Sequence, residues 1–345
     1  MSRKRKNPAD NWMPPRVRRG RSAFEFQTPD NRTVRLCDLS ATQEEVLAAY
    51  EKTLIDEKGE EEKRDLSALI NAFFRSADFK RLVPESRRDY YKYAKKVNSV
   101  FGKMEPDTIK PEHIRRYMDK RGLRSQTQAN REKNFMSRVF GWGYERGLVT
   151  SNPCRGVRQF KEIPRDRYIT DDEYNAIYSV SPLVVQIAME LAYLCCARQS
   201  DILGLTYAQV AEEGIYIKQG KTKVAQIKLW TERLYSAIEK SQHLPVEDGV
   251  TSIYVIHQRT GARYARDGFN SRWRKAKHTA KEKFPELDFN FTFHDLKAKG
   301  ISDLEGTLQE KQRISGHKNI GQTARYNRKV ASVPVVGGQK KPLSK

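Results

Sequence analysis

Apolar residues recur along the chain with two different periods, and the change of period predicts the elements. Near the N-terminus the runs SAFEF (22–26) and TVRLC (33–37) are typical of strands. The segment PDN at 29–31 favours a turn that joins them as a hairpin. A helical pattern then starts at Ser40. Residues 1–57 are therefore predicted to form a small β-plus-helix module that carries a basic arm.

A second, purely helical pattern follows an acidic and polar stretch, Asp56–Arg64, which we interpret as a linker. The apolar side of its first helix is formed by Leu66, Leu69, Ile70, Phe73 and Phe74. Further helices are predicted at Arg88–Phe101, Pro111–Lys120 and Gln128–Arg146. Residues 62–155 are thus expected to be an all-helical domain.

The segment 151–167, SNPCRGVRQFKEIPRDR, combines prolines, a glycine and many charges, and we place the main domain boundary there. Thr170 and Glu173 then form a T-x-x-E capping box that opens the next helix. Residues 165–330 are mostly helical in pattern, with strand patterns at GIYIKQG, AQIKLW and TSIYVIHQ. Residues 331–345 form a tail. The predicted fold class is multidomain and mainly α, with small β elements and a mixed α+β C-terminal domain.

The charge balance indicates a polyanionic partner. The chain has 345 residues with 65 Lys and Arg against 43 Asp and Glu, a formal net charge of +22 and a pI of about 9.8. Nucleic acid fits better than a membrane, because mean hydropathy is −0.78 and the apolar stretch Leu183–Ala197 is interrupted by Gln186 and Glu190. We expect no membrane-spanning segment.

The cysteines and the N-terminus bear on compartment and cofactors. The four cysteines are scattered, which favours a reducing cytoplasm. The basic start MSRKRK is followed by NPADNW, which is not the apolar core of a secretory signal. No zinc-type His and Cys spacing and no glycine-rich phosphate loop occurs. Neither a metal nor a nucleotide cofactor is expected.

The C-terminal half contains the groups that break a phosphodiester without a metal. Such a reaction needs a nucleophile, cations that stabilise the pentacoordinate phosphorane, and an acid that protonates the leaving oxygen. In chain order the candidates are Arg198 in CARQSDILGL, Lys221 in QGKTK, His294 and Lys297 in FTFHDLKAKG, His317 in SGHKN, and Tyr326 in ARYNRK.

This ordered set resembles the catalytic set of the tyrosine recombinase, or phage integrase, family, over residues 165–330. The helical region 62–155 resembles the family's core-binding, SAM-like domain. The module at 1–57 resembles the arm-binding domain of lambdoid phage integrases. The resemblance implies a site-specific recombinase that cuts and rejoins DNA through a 3′-phosphotyrosine, without a cofactor. Such an enzyme integrates or excises phage or mobile-element DNA.

The resemblance also implies a role for each candidate. Tyr326 would be the nucleophile, and Arg198 would form one arm of a phosphate clamp, supported by Asp201. His317 would hydrogen-bond to the scissile phosphate. Lys221, on the turn between two strand patterns, would be the general acid. Lys223, two residues on, competes with Lys221 for that role.

Lys297 departs from the family pattern, which usually has arginine at this place. His294 and Lys297 are three residues apart, so on a helix both would present their tips to one phosphate. A lysine offers a point charge where the planar guanidinium grips two oxygens. This departure keeps open an alternative: a DNA-binding protein on the same fold with weak or lost cleavage. A resolvase or a topoisomerase IB relative is a further alternative.

The implied partners follow from recombination between two duplexes. Four active sites are needed, so the resemblance implies a homotetramer on double-stranded DNA carrying attachment sites. It also admits a DNA-bending host factor and a directionality factor. The tail 331–345 would dock on a neighbouring subunit. A basic, aromatic-rich helix around Tyr90–Lys96 either faces DNA or is a solvated face. The expected location is the bacterial cytoplasm.

Overall fold

The computed structural model describes residues 8–28, 32–61, 65–333 and 335–337, with only the backbone at 55–61. The chain divides into two units, Met1–Glu162 and Ile163–Lys345. The division falls inside the Pro- and Gly-containing segment 151–167. None of the helices in the described ranges has the length and apolarity needed to cross a bilayer.

The N-terminal module is a three-stranded antiparallel sheet in the order β1–β2–β3, followed by one helix. Its elements are β1 Val17–Arg19, β2 Ala23–Gln27, β3 Thr33–Asp38 and α1 Gln43–Glu61. The two predicted strands are confirmed. The predicted turn at 29–31 lies outside the described residues. β1 was missed because it is only three residues long and buries a single apolar side chain, Val17.

The prediction of a linker from Asp56 was wrong for its first half, because α1 continues to Glu61. The stretch is rich in Glu and Lys, which are good helix formers, so polarity alone does not end a helix. The side chains of this module that form a core of their own include Val17, Phe24, Phe26 and Val46.

Five helices build the second part of the first unit. They are α2 Leu66–Arg75, α3 Ala77–Lys80, α4 Pro84–Phe101, α5 Pro111–Gly122 and α6 Gln126–Tyr144. The predicted helices are confirmed, with ends shifted by a few residues. Their apolar faces meet in a core that includes Leu66, Ile70, Phe73, Val97 and Phe140. The buried carboxylate of Glu132 accepts hydrogen bonds from Tyr117 and Arg121, which satisfies it inside this core.

The second unit is mixed, as predicted. Its helices are α7 Asp171–Val180, α8 Leu183–Leu194, α9 Gln199–Ile202, α10 Glu232–Ser241, α11 Arg266–Lys283, α12 Asp295–Asp303, α13 Leu308–Ser315 and α14 Ile320–Tyr326. Its sheet has the order β4 Val210–Ala211, β5 Gly214–Lys218, β6 Ala225–Leu229, all antiparallel. The apolar helix α8 packs against α10 and α12.

The third predicted strand, TSIYVIHQ, was wrong. That segment makes only isolated bridges, Thr206 to Tyr254 and His257 to Arg263. Val255 and Ile256 are adjacent and both fully buried. A strand would turn them to opposite faces of a sheet, whereas here both pack into the core as irregular chain.

Candidate active site

Four of the predicted site residues meet at one place in the second unit, each from a different element. The Tyr326 hydroxyl lies 2.7 Å from His294 Nε2. The centroid of the His317 ring lies 5.0 Å from that of Tyr326. Arg198 is close enough for its charge to act on the pKa of all three. The residues are spread over nearly 130 positions of sequence, so the fold brings them together.

Arg198 is held at the N-terminus of α9 by an unusual backbone. Cys196, two residues earlier, has a left-handed φ of 48°, which turns the chain sharply after α8. The side chain is only 8 % exposed, and its Nη1 donates to Gln219 Oε1 at 2.5 Å. Its Nη2 is buried without a hydrogen-bond partner among the described residues. A buried, unpaired guanidinium nitrogen is suited to bind an anion.

Asp201 connects Arg198 to the turn between β5 and β6. Its Oδ2 lies 3.9 Å from Arg198 Nη1, and its Oδ1 accepts a hydrogen bond from the backbone nitrogen of Gly220 at 3.1 Å. The carboxylate thus lies between Arg198 and the turn.

The two candidate general acids occupy different positions on this turn. Lys221 and Lys223 are both exposed. Lys223 has a left-handed φ of 62°, and its backbone nitrogen donates to the Gln219 carbonyl at 2.8 Å, so it shapes the turn. Lys221 lies at the tip, next to the Gly220 that Asp201 holds. This difference favours Lys221 as the lysine that extends towards a bound strand.

His294 and Tyr326 form a hydrogen-bonded pair. The imidazole is open to solvent on one side but surrounded by protein on the others, and this desolvation lowers the pKa of His294 below its usual 6.5. Burial likewise raises the pKa of Tyr326 above 10. Near pH 7 the histidine is therefore neutral and the tyrosine protonated, so Tyr326 donates the hydrogen bond and His294 Nε2 accepts it.

His317 presents a second buried nitrogen without a hydrogen-bond partner in the described structure, beside this pair. Gly316 ends α13 with a left-handed φ of 65°, which only glycine adopts without strain, and places His317 in the interior at 4 % exposure. His317 Nδ1 lies 3.2 Å from Thr323 Oγ1, whereas its Nε2 is buried with no partner in the described structure. Burial, together with the charges of Lys297 and Arg198, lowers the pKa of His317 to about 3.

The tips of Lys297 and His294 have different hydrogen-bond partners, although the two residues are near each other. Its side chain is 1 % exposed, and Nζ donates to the carbonyls of Cys196 at 2.6 Å and Ser315 at 3.3 Å. Burial and the neighbouring charge of Arg198 lower its pKa to about 7. The ammonium is thus committed to two backbone turns, one leading to Arg198 and one leading to His317.

Sequence reasoning missed three residues of the site. Gln219 joins Arg198 to the Ser315 carbonyl. Asp295 accepts from Arg328 Nη1 at 2.7 Å, and the Arg328 guanidinium lies 6.0 Å from the Tyr326 ring centroid. A sequence signal existed for Asp295, the neighbour of His294, but Gln219 had none beyond its place before the turn.

The described ranges contain no group of three or more His, Cys, Asp or Glu side chains that could hold a metal ion. The groups that the site brings together are an imidazole next to a phenol, two buried nitrogens without partners in the described structure, and a lysine on a turn. On the aromatic helix α4, Tyr93 belongs to the core, whereas Tyr91 is 54 % exposed and Lys92, Lys95 and Lys96 are exposed.

Comparison with known proteins places the site in a family. Residues 167–332 match the family described as the phage integrase family. The integrase of Enterobacteria phage 434 is 26 % identical over 205 residues, which is 56 % of this chain and 56 % of that protein. The integrase of Escherichia phage lambda is 25 % identical over the same shares. The match spans about half the length of these curated relatives.

Solved structures show the same fold. A lambda integrase (75–356) dimer bound to a COC′ core site has a TM-score of 0.68 at 18 % identity, covering 79 % of this chain and 99 % of that one. A lambda integrase dimer bound to a COC′ core site covers 97 % and 100 %, with a TM-score of 0.66 at 16 % identity. The Tn1549 transposon integrase (aa 82–397) in complex with circular intermediate DNA has a TM-score of 0.64 at 13 % identity, covering 77 % and 96 %.

Proposed function

We propose, from the match of residues 167–332 to the phage integrase family, that the chain is a tyrosine recombinase of that family: a site-specific DNA recombinase that cuts and rejoins strands through Tyr326. The observation that carries the proposal is the 2.7 Å contact between the Tyr326 hydroxyl and His294 Nε2. Beside it lie two buried nitrogens without partners in the described structure, Arg198 Nη2 and His317 Nε2. A nucleophile, its base and two anion donors are thus assembled at one point.

In the first step His294 Nε2 takes the phenolic proton as Tyr326 Oη attacks the scissile phosphorus. Arg198 Nη2 and His317 Nε2 donate to the non-bridging oxygens, where negative charge builds up. For His317 this requires that the Thr323 hydroxyl donate to Nδ1, which leaves the hydrogen on Nε2. The bond to the 5′ oxygen breaks as Lys221 protonates that oxygen. The products are a 3′-phosphotyrosine and a free 5′ hydroxyl.

The second step reverses the first with a different strand. The 5′ hydroxyl of a partner strand attacks the phosphotyrosine and passes its proton to the neutral amine of Lys221, while the bond to Tyr326 Oη breaks and His294 returns its proton to that oxygen. The phosphodiester free energy is conserved in the covalent bond, so no ATP or other cofactor takes part. Integration and excision of phage or mobile-element DNA are the reactions that such strand exchange performs.

Lys297 supports this site through the backbone that carries its residues. Its ammonium holds the carbonyls of Cys196 and Ser315, and so braces the two turns that deliver Arg198 and His317. Its charge adds to the positive potential at the phosphate, as its effect on the pKa of His317 indicates. An arginine fork in this place would instead offer a second nitrogen to the phosphate.

The rest of the proposal concerns domains and partners. Residues 1–57 would bind arm-type DNA sites, 62–155 would bind core sites, and 165–330 would be catalytic, with the tail 331–345 docking on a neighbouring subunit. The working form would be a homotetramer on attachment-site DNA in the bacterial cytoplasm, assisted by a DNA-bending host factor and a directionality factor. Support comes from relatives: solved lambda integrases are described as a dimer bound to a core site and as a tetramer bound to a Holliday junction.

Covalent trapping tests the catalytic claim. The protein is incubated with nicked duplexes tiled from DNA that flanks its own gene, and adducts that survive denaturation are counted. We expect an adduct that Tyr326→Phe abolishes and that Tyr216→Phe, at an exposed tyrosine on β5, leaves unchanged.

A DNA-binding protein without cleavage is the second candidate, favoured by Lys297 being bound to backbone carbonyls. If every tile binds but none is trapped, and Lys297→Arg is equally inactive, this candidate replaces the recombinase. An adduct that strengthens in Lys297→Arg would instead show that the lysine moderates an active site.

A further inference from the structure

Gln219 is the buried polar side chain on which the parts of this site converge. It follows the last residue of β5, immediately before the turn that carries Lys221, and is 4 % exposed. Its Oε1 accepts from Arg198 Nη1 at 2.5 Å and from Thr222 Oγ1 at 2.8 Å. Its Nε2 donates to the Ser315 carbonyl at 2.9 Å. Both ends of the amide are therefore used.

The two partners of Gln219 lead to the two unpaired phosphate donors. Arg198 carries Nη2, and Ser315 is two residues from His317, whose Nε2 is the other. Lys297 Nζ approaches the same Ser315 carbonyl. The fit at this point is tight, because a Cβ on Gly316 would lie 2.3 Å from Gln219 Nε2. Only a neutral amide accepts from a guanidinium at one end and donates to a carbonyl at the other.

We propose that Gln219 is a positioning residue that fixes the Arg198 guanidinium relative to His317, so that Arg198 Nη2 and His317 Nε2 face the same phosphate. The inference rests on the proposed recombinase function. The mechanism assigns Gln219 no contact with DNA, so it acts through Arg198. With one guanidinium nitrogen bound to Gln219 and held near Asp201, the other has its direction set before substrate binds.

The test compares two suicide substrates in single-turnover cleavage. One has the natural phosphodiester, and the other has sulfur in place of the bridging 5′ oxygen, whose thiolate leaves without a proton. Gln219→Met keeps the volume and removes both hydrogen bonds. Gln226→Met is the matched control. Gln226 lies on the same hairpin and donates to the Arg313 carbonyl of α13. Within the described structure it makes no hydrogen bond to Arg198. Lys221→Ala reports the general acid.

We expect Gln219→Met to slow cleavage about 10- to 100-fold on both substrates, as for loss of a hydrogen bond to a charged group. DNA affinity and melting temperature should match those of Gln226→Met, which cleaves normally. Lys221→Ala should be slow on oxygen and recover on sulfur. The proposal is overturned if Gln219→Met cleaves like wild type, if sulfur rescues it as it rescues Lys221→Ala, or if Gln226→Met is equally slow.

A double-variant comparison on the sulfur substrate separates positioning from general damage. Arg198→Lys has one terminal nitrogen and no Nη2 to direct. Adding Gln219→Met to Arg198→Lys should cost less than about threefold, because coupled residues are not additive. Multiplication of the two single defects would show that Gln219 acts independently of Arg198, contrary to the proposal. Absence of any adduct in wild type on both substrates would refute the recombinase function itself, which is a different result.

Discussion

At the residue scale, the proposed mechanism depends on a histidine that must be neutral to accept a proton. Burial lowers the pKa of His294, so it is protonated only below its usual 6.5. A protonated imidazole cannot take the Tyr326 proton. We therefore expect the single-turnover cleavage rate to be independent of His294 ionisation at pH 7 to 8 and to fall as pH drops below about 6.5.

His294→Gln tests this assignment, because glutamine keeps a polar tip but cannot accept a proton. Cleavage should fall at least about 100-fold at pH 7.5, the usual contribution of a general base, and the acid limb governed by His294 should vanish. His243→Gln, at an exposed histidine just after α10, serves as control and should keep the wild-type pH profile. An acid limb that persists unchanged in His294→Gln would assign the base elsewhere.

The buried lysine predicts a pH dependence of stability. Lys297 has a folded pKa of about 7 against a model-peptide value of 10.5. Between these values the unfolded chain binds more protons, so the free energy of unfolding rises with pH by up to about 1.4 kcal/mol per unit. Below pH 7 the full cost of the buried charge is present.

Lys297→Met removes this titration. Relative to wild type, the methionine variant should be most stable at pH 6 and should lose that advantage steadily up to pH 10, in urea unfolding followed by circular dichroism. Most other titrating groups are unaffected by the substitution and cancel in the difference, and His317, whose pKa Lys297 helps to lower to about 3, is neutral in the folded wild type over this range. A difference in unfolding free energy that stays constant from pH 6 to 10 would mean that Lys297 is fully charged in the folded state.

The hydrogen-bond partners of Lys297 could not be predicted from its position in the sequence. The order and spacing of the candidates identified Arg198, His294, His317 and Tyr326, which the fold assembles. Spacing of three residues correctly put His294 and Lys297 on neighbouring positions, yet their tips bind different partners. Which partner each meets depends on what packs against α12, and that is long-range information absent from a single helix.

At the element scale, that packing depends on a glycine. A Cβ on Gly300 of α12 would lie 2.2 Å from the Tyr193 carbonyl at the end of α8. The close approach brings Lys297 under the Cys196 carbonyl. Gly300→Ala must push the two helices apart, so we expect a loss of about 1 to 3 kcal/mol in unfolding free energy and slower cleavage.

Gly268→Ala is the matched control for this substitution. Gly268 lies in α11 with nothing within 4 Å of an added Cβ, so alanine there should be neutral or stabilising by up to about 1 kcal/mol. Chemical denaturation of both variants checks the pair. Equal stability of Gly300→Ala and wild type would show that α8 and α12 are loosely packed.

The elements themselves were predictable where periodicity was strong. The helices of 62–155 and the hairpin of β5 and β6 followed from pattern, because one face of each is buried. The segment 251–258 failed because consecutive buried residues are compatible with irregular chain as well as with a strand. The linker prediction at Asp56 failed because a stretch rich in Glu and Lys is as compatible with a helix as with a linker.

At the scale of the whole molecule, the net charge of +22 predicts DNA affinity that falls steeply with salt. Helix α4 is a candidate for the surface that contacts DNA. Tyr93 and Val97 are buried in the core, whereas Tyr91 is 54 % exposed and Lys92, Lys95 and Lys96 are on the solvent side of the helix. If that side contacts DNA phosphates, each lysine neutralises one of them and releases a counterion.

Changing Lys92, Lys95 and Lys96 together to Gln should then weaken binding and reduce the slope of log Kd against log salt by about 2 to 3. The control changes Lys275, Lys281 and Lys283 of α11, which are equally exposed and alter the net charge equally. Fluorescence anisotropy with a labelled duplex, from 50 to 300 mM salt, gives both slopes. Because total charge is matched, a larger effect from α4 locates the contact on that helix. Equal, small effects would show that α4 presents a solvated face and that its aromatic residues serve the core alone.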